Sequence, residues 1–172
     1  QVSEAARFAA ISVNGEEIVM RARPMLDVAG VKVALPAGTF VQASAEAEIA
    51  MRNLVVEAVG KARHVADLFS GLGTFALALA RRAKVLAADS DEAALGALAE
   101  ARRNVQGLKP IVTLRRDLMR EPLSRNELGP YDCVVFDPPR AGAKAQAEML
   151  ARSKVPSVIA VSCDPGTLAR DL

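Results

Sequence analysis

The sequence of 172 residues predicts an α/β protein in which a parallel sheet carries helices on both faces and follows a small β region. From His64 onward, short apolar runs alternate with segments of helical spacing, as strands joined by right-handed crossover helices do. The composition is 51% hydrophobic but only 3% aromatic, which suits the aliphatic core of a buried parallel sheet. The stretch Val65–Leu79 (VADLFSGLGTFALAL) then places a strand, a glycine turn and a helix in succession.

The first 43 residues are predicted to form a separate β-rich region. Two apolar runs, 8–13 and 17–20, flank Asn14-Gly15, a dipeptide typical of hairpins because both residues tolerate positive φ. A second hairpin is expected from 25–28 and 31–35, with Ala29-Gly30 at the turn. A short extended piece, 39–42, leads into the next element.

Residues 44–172 are predicted to form the α/β domain. Ser44 is a plausible N-cap for a helix over Ala45–Val59, which Gly60 ends. Its apolar stripe is expected to hold Ile49, Leu54, Val55 and Val59. The further predicted strands are Val65–Phe69, Lys84–Ala88, Ile111–Leu114, Tyr131–Phe136 and Ser157–Val161, and the further helices are Thr74–Arg82, Asp91–Val105 and Lys144–Arg152, with an irregular stretch around Pro122 and Pro130.

Bulk properties exclude several classes of protein. No apolar run reaches the roughly 18 residues of a membrane span, and the start QVSEAARFAA does not look like a signal peptide, so a cytoplasmic protein is expected. Two cysteines and one histidine are too few for a four-ligand zinc site, so no metal is expected and both thiols should be free. The net charge of +2 permits a nucleic-acid partner without arguing for one.

Polar residues follow the predicted strands at the edge where open α/β sheets bind ligands. Gly71 and Gly73 would let a ligand lie against bare backbone. Asp89, after the second strand, is placed to hold a ribose, although it could instead cap the next helix, a role that Ser90 or Asp91 could also fill. For Asp117, two roles stay open: accepting a hydrogen bond from an adenine amino group, or capping a short turn.

Two further residues are placed for chemistry. Asp137 is followed by Pro138-Pro139, a stiff segment that holds the carboxylate at the sheet edge. Cys163 comes just past the fifth strand and before a proline that starts a helix, the position of a thiol nucleophile. Cys133, inside its strand, is expected to be a small buried hydrophobic residue.

Three segments together resemble the RNA uracil-C5 methyltransferases, which use S-adenosylmethionine. They are Asp67–Phe75 (DLFSGLGTF), Phe136–Ala143 (FDPPRAGA) and Val161–Leu172 (VSCDPGTLARDL), and the segment ALPAGTFVQAS before the long helix is similar as well. The ending TLARDL looks closer to the ribosomal-RNA members than to the tRNA member. The resemblance implies a Rossmann-like class I methyltransferase sheet and methyl transfer to a uridine C5 in RNA, 23S rRNA in the first place.

The resemblance also implies site residues. The cofactor ligands fall on Gln42, Phe69, Thr74, Asp89 and Asp137, with Gly71 and Gly73 against the methionine moiety and Cys163 as the nucleophile. The family more often has Asn at position 74, Glu at 89 and Asn at 164. Asp164 is therefore expected to add a negative charge beside the thiol and to oppose thiolate formation.

In this chemistry the cysteine thiolate adds to C6 of the uracil, C5 takes the methyl group, and a base removes the C5 proton. The family's base is a Glu well downstream of the cysteine, whereas this sequence ends nine residues after Cys163. By this comparison the base and the last strands are expected to be missing and turnover to be poor, and residues 1–43 should be part of an RNA-side β domain. The oligomeric state stays open, with a monomer favoured.

Three other functions stay open. An RNA cytosine-C5 methyltransferase also uses a thiol, but more often has Pro-Cys where this sequence has Pro138-Pro139. A non-catalytic RNA-binding domain with a relic cofactor fold would leave Cys163 buried and remote from the glycine turn. A nucleotide-dependent oxidoreductase is suggested only by the GxGxxA pattern of residues 71–76.

Overall fold

The computed structural model describes residues 8–14 and 16–171. Two antiparallel hairpins come first: β1 (Ala10–Val13) pairs with β2 (Glu16–Met20), and β3 (Met25–Val28) pairs with β4 (Val31–Ala34). Both predicted hairpins are confirmed, although Gly15 of the first turn lies outside the described residues.

The turn of the second hairpin has the predicted geometry. Ala29 and Gly30 both have positive φ, at 54° and 79°. The Gly30 amide donates to Asp27 Oδ1 at 2.9 Å, so this side chain closes the turn. After β4, residues 39–42 join no strand of the described chain.

Helix α1 (Ala45–Val59) begins and ends as predicted, with the Ser44 hydroxyl accepting from the Ala47 amide at 3.2 Å. The predicted apolar stripe is wrong at two positions, because Leu54 is 66% exposed and Ile49 46%. The other two predicted residues, Val55 and Val59, are buried as expected. The covered face of α1 also contains the ion pair between Arg52 and Glu48, whose side chains are mostly shielded from solvent. The spacing of apolar residues could not predict this polar part of the face.

Five parallel strands form the main sheet. The predicted parallel sheet is thereby confirmed. The strands are β5 (His64–Leu68), β6 (Lys84–Asp89), β7 (Ile111–Arg115), β8 (Cys133–Phe136) and β9 (Ser157–Ala160), and their order across the sheet is β7-β6-β5-β8-β9. The helices after α1 are α2 (Thr74–Leu79), α3 (Glu92–Arg103), α4 (Arg125–Leu128), α5 (Lys144–Ala151) and α6 (Pro165–Asp171).

Alternate residues of the strands face two separate cores, as the pleat of a strand requires. Val65 of β5 joins the core formed with α1, α2 and α3. Ala66 and Leu68 join the core formed with α4 and α5. Helices therefore cover both faces of the sheet, as predicted.

The region around Pro122 contains a short helix that the sequence pattern did not predict. Four residues are too few to show a helical period, and α4 depends on a capping box between Ser124 and Glu127. Next to it, the fully buried Gln146 of α5 pairs with the Leu123 backbone, accepting from its amide at 2.7 Å and donating to its carbonyl at 3.2 Å. The predicted helix over 74–82 is also shorter, ending at Leu79.

The second hairpin packs into the core of the main sheet. Val28, Val31 and Val33 are almost completely buried, in the same cluster as residues of β5, α2 and α3. The domain division at residue 43 remains a proposal, and a packed apolar interface crosses it. Within the described residues, every helix lacks either the length or the hydropathy that crossing a bilayer requires.

Candidate active site

The strand order places a crevice at the carboxyl ends of β5 and β8. The chain runs outward from β5 to β6 and β7, then crosses to β8 on the other side, so β5 and β8 flank the switch point. Phe69 follows β5, and Asp137 follows β8. The Asp137 amide donates to the Leu68 carbonyl at 3.3 Å, which sets the two segments side by side.

A pocket opens in this crevice and encloses about 540 Å³, its open mouth included. Two of its walls, Leu26 of β3 and Met51 of α1, were not predicted, since they come from distant parts of the chain. The pocket brings together five of the predicted cofactor residues: Gln42, Phe69, Gly71, Thr74 and Asp137.

Phe69 holds a strained backbone at the rim of the pocket. Its φ of 64° lies in the left-handed region, which is costly for a residue with a side chain. The amides of Phe69 and Ser70 both donate to the Ala88 carbonyl, and the Phe69 ring packs edge-on against Phe136 with centroids 5.9 Å apart. The contacts hold the strained residue in place, a pattern common at functional sites.

The two turn glycines serve different purposes. Gly71 lines the pocket, and a Cβ built on it would meet nothing within 4 Å, so its backbone faces open space. Gly73 lies outside the pocket lining, and its Cβ would stand only 2.6 Å from Leu98 Cδ1 of α3. Both have positive φ. Gly71 therefore leaves room for a ligand, whereas Gly73 leaves room for a helix.

Asp89 supports the glycine turn from β6. Its Oδ2 accepts from the Gly71 amide and its Oδ1 from the Asp91 amide, each at 2.8 Å. Asp91, not Asp89, caps α3, because Asp91 Oδ1 accepts from the Ala94 amide at 3.0 Å. Each Asp89 oxygen keeps a further lone pair with which it can accept from a ligand hydroxyl.

Asp117 lies outside the pocket lining and forms a turn of its own. Its Oδ1 accepts from the Met119 amide at 3.0 Å, and its Oδ2 lies 3.5 Å from Arg120 Nε. The capping role foreseen for Asp117 is therefore present. A contact between Asp117 and an adenine remains a prediction.

Two carboxyls of this region have raised pKa values, Asp137 in the pocket lining and Asp67 close enough to interact with it. Asp67 is fully buried, and neither of its oxygens has a hydrogen-bond partner in the described part of the chain. Burial first, and then the Asp137 carboxylate, raises the pKa of Asp67 well above its usual value. The nearby backbone of Ala76 opposes this shift in part. Burial also raises the pKa of Asp137, to about 6.

Ser70 is a pocket residue that sequence reasoning missed. It is buried, it lines the pocket, and its hydroxyl has no hydrogen-bond partner among the described residues. Buried polar groups are nearly always paired. Its position between Phe69 and Gly71, inside the glycine turn, was the signal that could have identified it.

Cys163 is exposed in the loop between β9 and α6, at the same edge of the sheet. The next residue, Asp164, caps α6: its Oδ1 accepts from the amides of Gly166 and Thr167 at 2.9 and 3.0 Å. Arg140 Nε lies 3.8 Å from Asp164 Oδ2. These contacts hold the pKa of Asp164 below its usual range, chiefly through the Thr167 amide. They also compensate its charge, so Asp164 should oppose a thiolate less than the sequence suggested.

Comparisons with known proteins agree with this geometry. The profile of the tRNA (uracil-5-)-methyltransferase family matches residues 21–172. An uncharacterized RNA methyltransferase of Brucella melitensis is 56% identical over 165 residues, covering 96% of this chain. The chain spans 40% of that relative's length.

Two relatives carry more specific names. The 23S rRNA (uracil(1939)-C(5))-methyltransferase RlmD of Colwellia psychrerythraea is 39% identical over 112 residues, which are 63% of this chain and 24% of that protein. The structure of the Pyrococcus abyssi tRNA (uracil-54, C5)-methyltransferase in complex with S-adenosyl-L-homocysteine superposes with a TM-score of 0.73 at 29% identity. The match covers 89% of this chain and 38% of that one. The predicted methyltransferase fold is confirmed.

Proposed function

Because the chain belongs to the tRNA (uracil-5-)-methyltransferase family, we propose that it carries the cofactor pocket and the nucleophile of an enzyme that methylates C5 of a uridine in RNA. One observation carries this proposal. The pocket at Asp137 and the thiol of Cys163 follow neighbouring strands at one edge of the sheet. The Val161 amide donates to the Phe136 carbonyl at 2.9 Å, so the two strand ends stay paired up to the site.

The pocket fits S-adenosylmethionine, the donor used in this family. The cofactor is cationic, and Asp137 offers a half-buried carboxylate, while Ser70 offers a buried hydroxyl still in need of a partner. Gly71 leaves bare backbone for close approach. Asp89 is proposed to accept from the ribose. Gln42, Phe69 and Thr74 complete the wall, and Asp117 is proposed to reach the adenine.

Cys163 is the proposed nucleophile. Uracil C5 is too weakly nucleophilic to take a methyl group unaided. Addition of the Cys163 thiolate to C6 forms an S–C6 bond and moves electron density to C5. A bound cofactor would supply an electrophilic methyl group on sulfur. The C5–methyl bond would form as the sulfur–methyl bond breaks, leaving S-adenosylhomocysteine. Loss of the C5 proton to a base then breaks the S–C6 bond and frees Cys163. We assign that base to none of the described residues.

The proposed substrate is ribosomal RNA. The segment TLARDL and the Colwellia relative favour 23S rRNA, whereas the solved structure bears the name of a tRNA enzyme. Either RNA must present an unpaired uridine or release one from its stack. A solvent-exposed thiol at the sheet edge is compatible with both substrates.

Methyl transfer tests the proposal directly. The full-length protein is incubated with S-adenosylmethionine carrying a labelled methyl group, and with 23S rRNA or tRNA transcripts. We expect label in C5-methyluridine of the ribosomal transcript and none with Cys163→Ala. Label in the tRNA alone would keep the chemistry and change the substrate. Label in cytosine, or equal activity of Cys163→Ala, would overturn the proposal.

Cofactor binding is tested separately by calorimetric titration with S-adenosylhomocysteine, with NADH as the control ligand. Binding of the first alone, weakened at least about tenfold by Asp89→Ala, is expected. Binding of NADH would favour the oxidoreductase. A protein that binds neither ligand in its full-length form would favour the non-catalytic domain.

A further inference from the structure

Helix α6, which follows Cys163, is tied to the loop over residues 137–143 at both of its ends. We call this segment the 137–143 loop; it connects Asp137 of the pocket to α5. The first tie is the contact of Arg140 with Asp164, at 3.8 Å, one residue after the thiol. The second tie lies at the other end of the helix, at Arg170 and Asp171.

The second tie is the stronger one, because its carboxylate is buried. The Asp171 side chain is only 2% exposed, and its Oδ2 accepts from the Ala143 amide at 2.7 Å. The Arg170 guanidinium donates to the Ala141 carbonyl at 3.0 Å and to Asp171 Oδ1 at 2.6 Å. Charge-assisted hydrogen bonds of this kind are about twice as strong as neutral ones.

The packing at Gly142 shows how closely the loop and the helix approach each other. Gly142 has a φ of 76°, and a Cβ on it would collide with both Arg170 and Asp171. Only glycine combines this backbone angle with the missing side chain. The glycine of the DPPRAG segment therefore serves the contact with α6.

Polar contacts contribute much of what positions α6 within the described chain. All of Pro165–Asp171 is described by the structure, and none of these residues is buried as a whole. A helix without an apolar buried face depends on other contacts for its position. The two polar ties are such contacts, beside the contacts of α6 with α5, and Cys163 lies at the start of the segment that they hold.

We propose that Arg170 and Asp171 are positioning residues that set the Cys163 thiol relative to the pocket at Asp137. The proposal rests on the proposed function of Cys163. In covalent catalysis, a displacement of about 1 Å in a reacting group can cost on the order of a hundredfold in rate. Loss of the tie should therefore lower the rate of methyl transfer without emptying the cofactor pocket, whose lining does not include α6.

The test compares variants of the full-length protein. Asp171→Ala removes the acceptor of the Ala143 amide, and Arg170→Ala removes the bond to Ala141 while sparing the buried carboxylate. Asp171→Asn keeps an acceptor oxygen but loses the ion pair. The matched control is Glu127→Ala, which breaks a comparable ion pair with Arg116 and the α4 capping box away from the thiol. For each variant, kcat, KM for S-adenosylmethionine and the melting temperature are measured.

We expect kcat to fall at least about tenfold in Asp171→Ala and Arg170→Ala, with an intermediate value for Asp171→Asn and an unchanged KM for the cofactor. Glu127→Ala should keep its kcat even where its melting temperature falls. A wild-type kcat in folded Asp171→Ala and Arg170→Ala would overturn the proposal, because the tie would then be structural only.

Hydrogen exchange separates this proposal from the function on which it rests. Asp171→Ala should speed exchange of the Ala143 amide and of the amides of α6 at least about tenfold, while the pocket amide of Gly71 stays protected. Unchanged exchange at Ala143 and in α6 would overturn the positioning role even in an inactive protein. An inactive wild-type protein would instead refute the proposed function.

Discussion

At the scale of single residues, the site concentrates acid groups in a poorly solvated place. Asp67, Asp137 and Asp89 lie around one glycine turn, and their carboxyls interact electrostatically. Only Asp89 has backbone amides to satisfy both oxygens. Asp67 is buried without such partners among the described residues. Natural proteins keep groups of this kind where function needs them, at a cost in stability.

Replacement of Asp67 by Asn should stabilise the fold at neutral pH. The folded state raises the pKa of Asp67, so it binds the proton more tightly than the unfolded state does. The contribution of Asp67 to stability is therefore fully present at acid pH and is lost as the pH rises from the ordinary pKa of about 4 towards the folded pKa. Asp67→Asn should raise the free energy of unfolding at pH 7 by about 1 kcal/mol or more and have little effect at pH 4, measured by urea unfolding.

Asp132 provides a control of opposite sign. The backbone amides of Arg63 and His64 hold the pKa of the Asp132 carboxyl below its usual range. Its contribution to stability is present above the ordinary pKa and is lost as the pH falls. Asp132→Asn should therefore destabilise the protein at pH 7. An Asp67→Asn protein that is less stable than wild type at pH 7 would contradict this account.

Cofactor binding should depend on the ionisation of Asp137. Its pKa is raised to about 6 by burial, and only the ionised form attracts a cationic ligand. Between pH 7 and pH 5 the affinity for S-adenosylhomocysteine, whose ammonium group is charged, should fall about tenfold. Asp137→Asn should bind weakly at both pH values. Calorimetry at the two pH values measures this, and an affinity of the wild type that does not change would exclude Asp137 as the titrating contact.

At the scale of elements, a few glycines determine how closely neighbouring helices can approach each other. Gly73 caps the start of α2, and a Cβ on it would stand 2.6 Å from Leu98 Cδ1, so this approach to α3 leaves no room for a side chain. Gly96, inside α3, has nothing within 4 Å of the place where its Cβ would stand. Both are glycines near helices, but only one is required by its surroundings.

The pair Gly73→Ala and Gly96→Ala should therefore have opposite effects. Gly73→Ala combines a positive φ with a collision against Leu98 and should destabilise the fold by roughly 1–3 kcal/mol. Gly96→Ala removes backbone freedom from a helix interior and should stabilise it by about 0.5–1 kcal/mol. Thermal unfolding of the two variants and of the wild type measures both changes in stability. A loss of stability in Gly96→Ala as well would contradict the free space found at Gly96.

At the scale of the whole molecule, the second hairpin is part of the main core while the first carries exposed apolar residues. Val33 of β4 is completely buried against the sheet, whereas Ile18 of β2 is 61% exposed. The wall of the pocket at Leu26 also comes from the second hairpin. The hairpin thus contributes to both stability and the site.

Truncation of one residue in each hairpin tests this difference. Val33→Ala leaves a cavity in a shared core and should cost roughly 1–3 kcal/mol in urea unfolding. Ile18→Ala should stay within about 0.5 kcal/mol of wild type. Equal, small effects would mean that the boundary proposed at residue 43 separates independent units.

The sequence by itself determined the elements and the edge at which they present chemistry. Alternating apolar runs and helical segments predict a parallel sheet because crossover chirality leaves few other arrangements. Parallel strands end at one edge, so Asp89, Asp137 and Cys163 could be assigned to it from their positions after strands. The resemblance to the family was carried by three segments, DLFSGLGTF, FDPPRAGA and VSCDPGTLARDL.

Only the tertiary structure decided which distant residues meet. Leu26 and Met51 join the pocket, Leu98 makes Gly73 necessary, and Asp171 ties α6 to the 137–143 loop. The exposed Leu54 and the short helix α4 also escaped the sequence pattern. The physical reason is common to all of them. Helical periodicity and capping depend on residues that are neighbours in the sequence. Side-chain contacts between distant segments depend on how the folded chain packs, which no local pattern specifies.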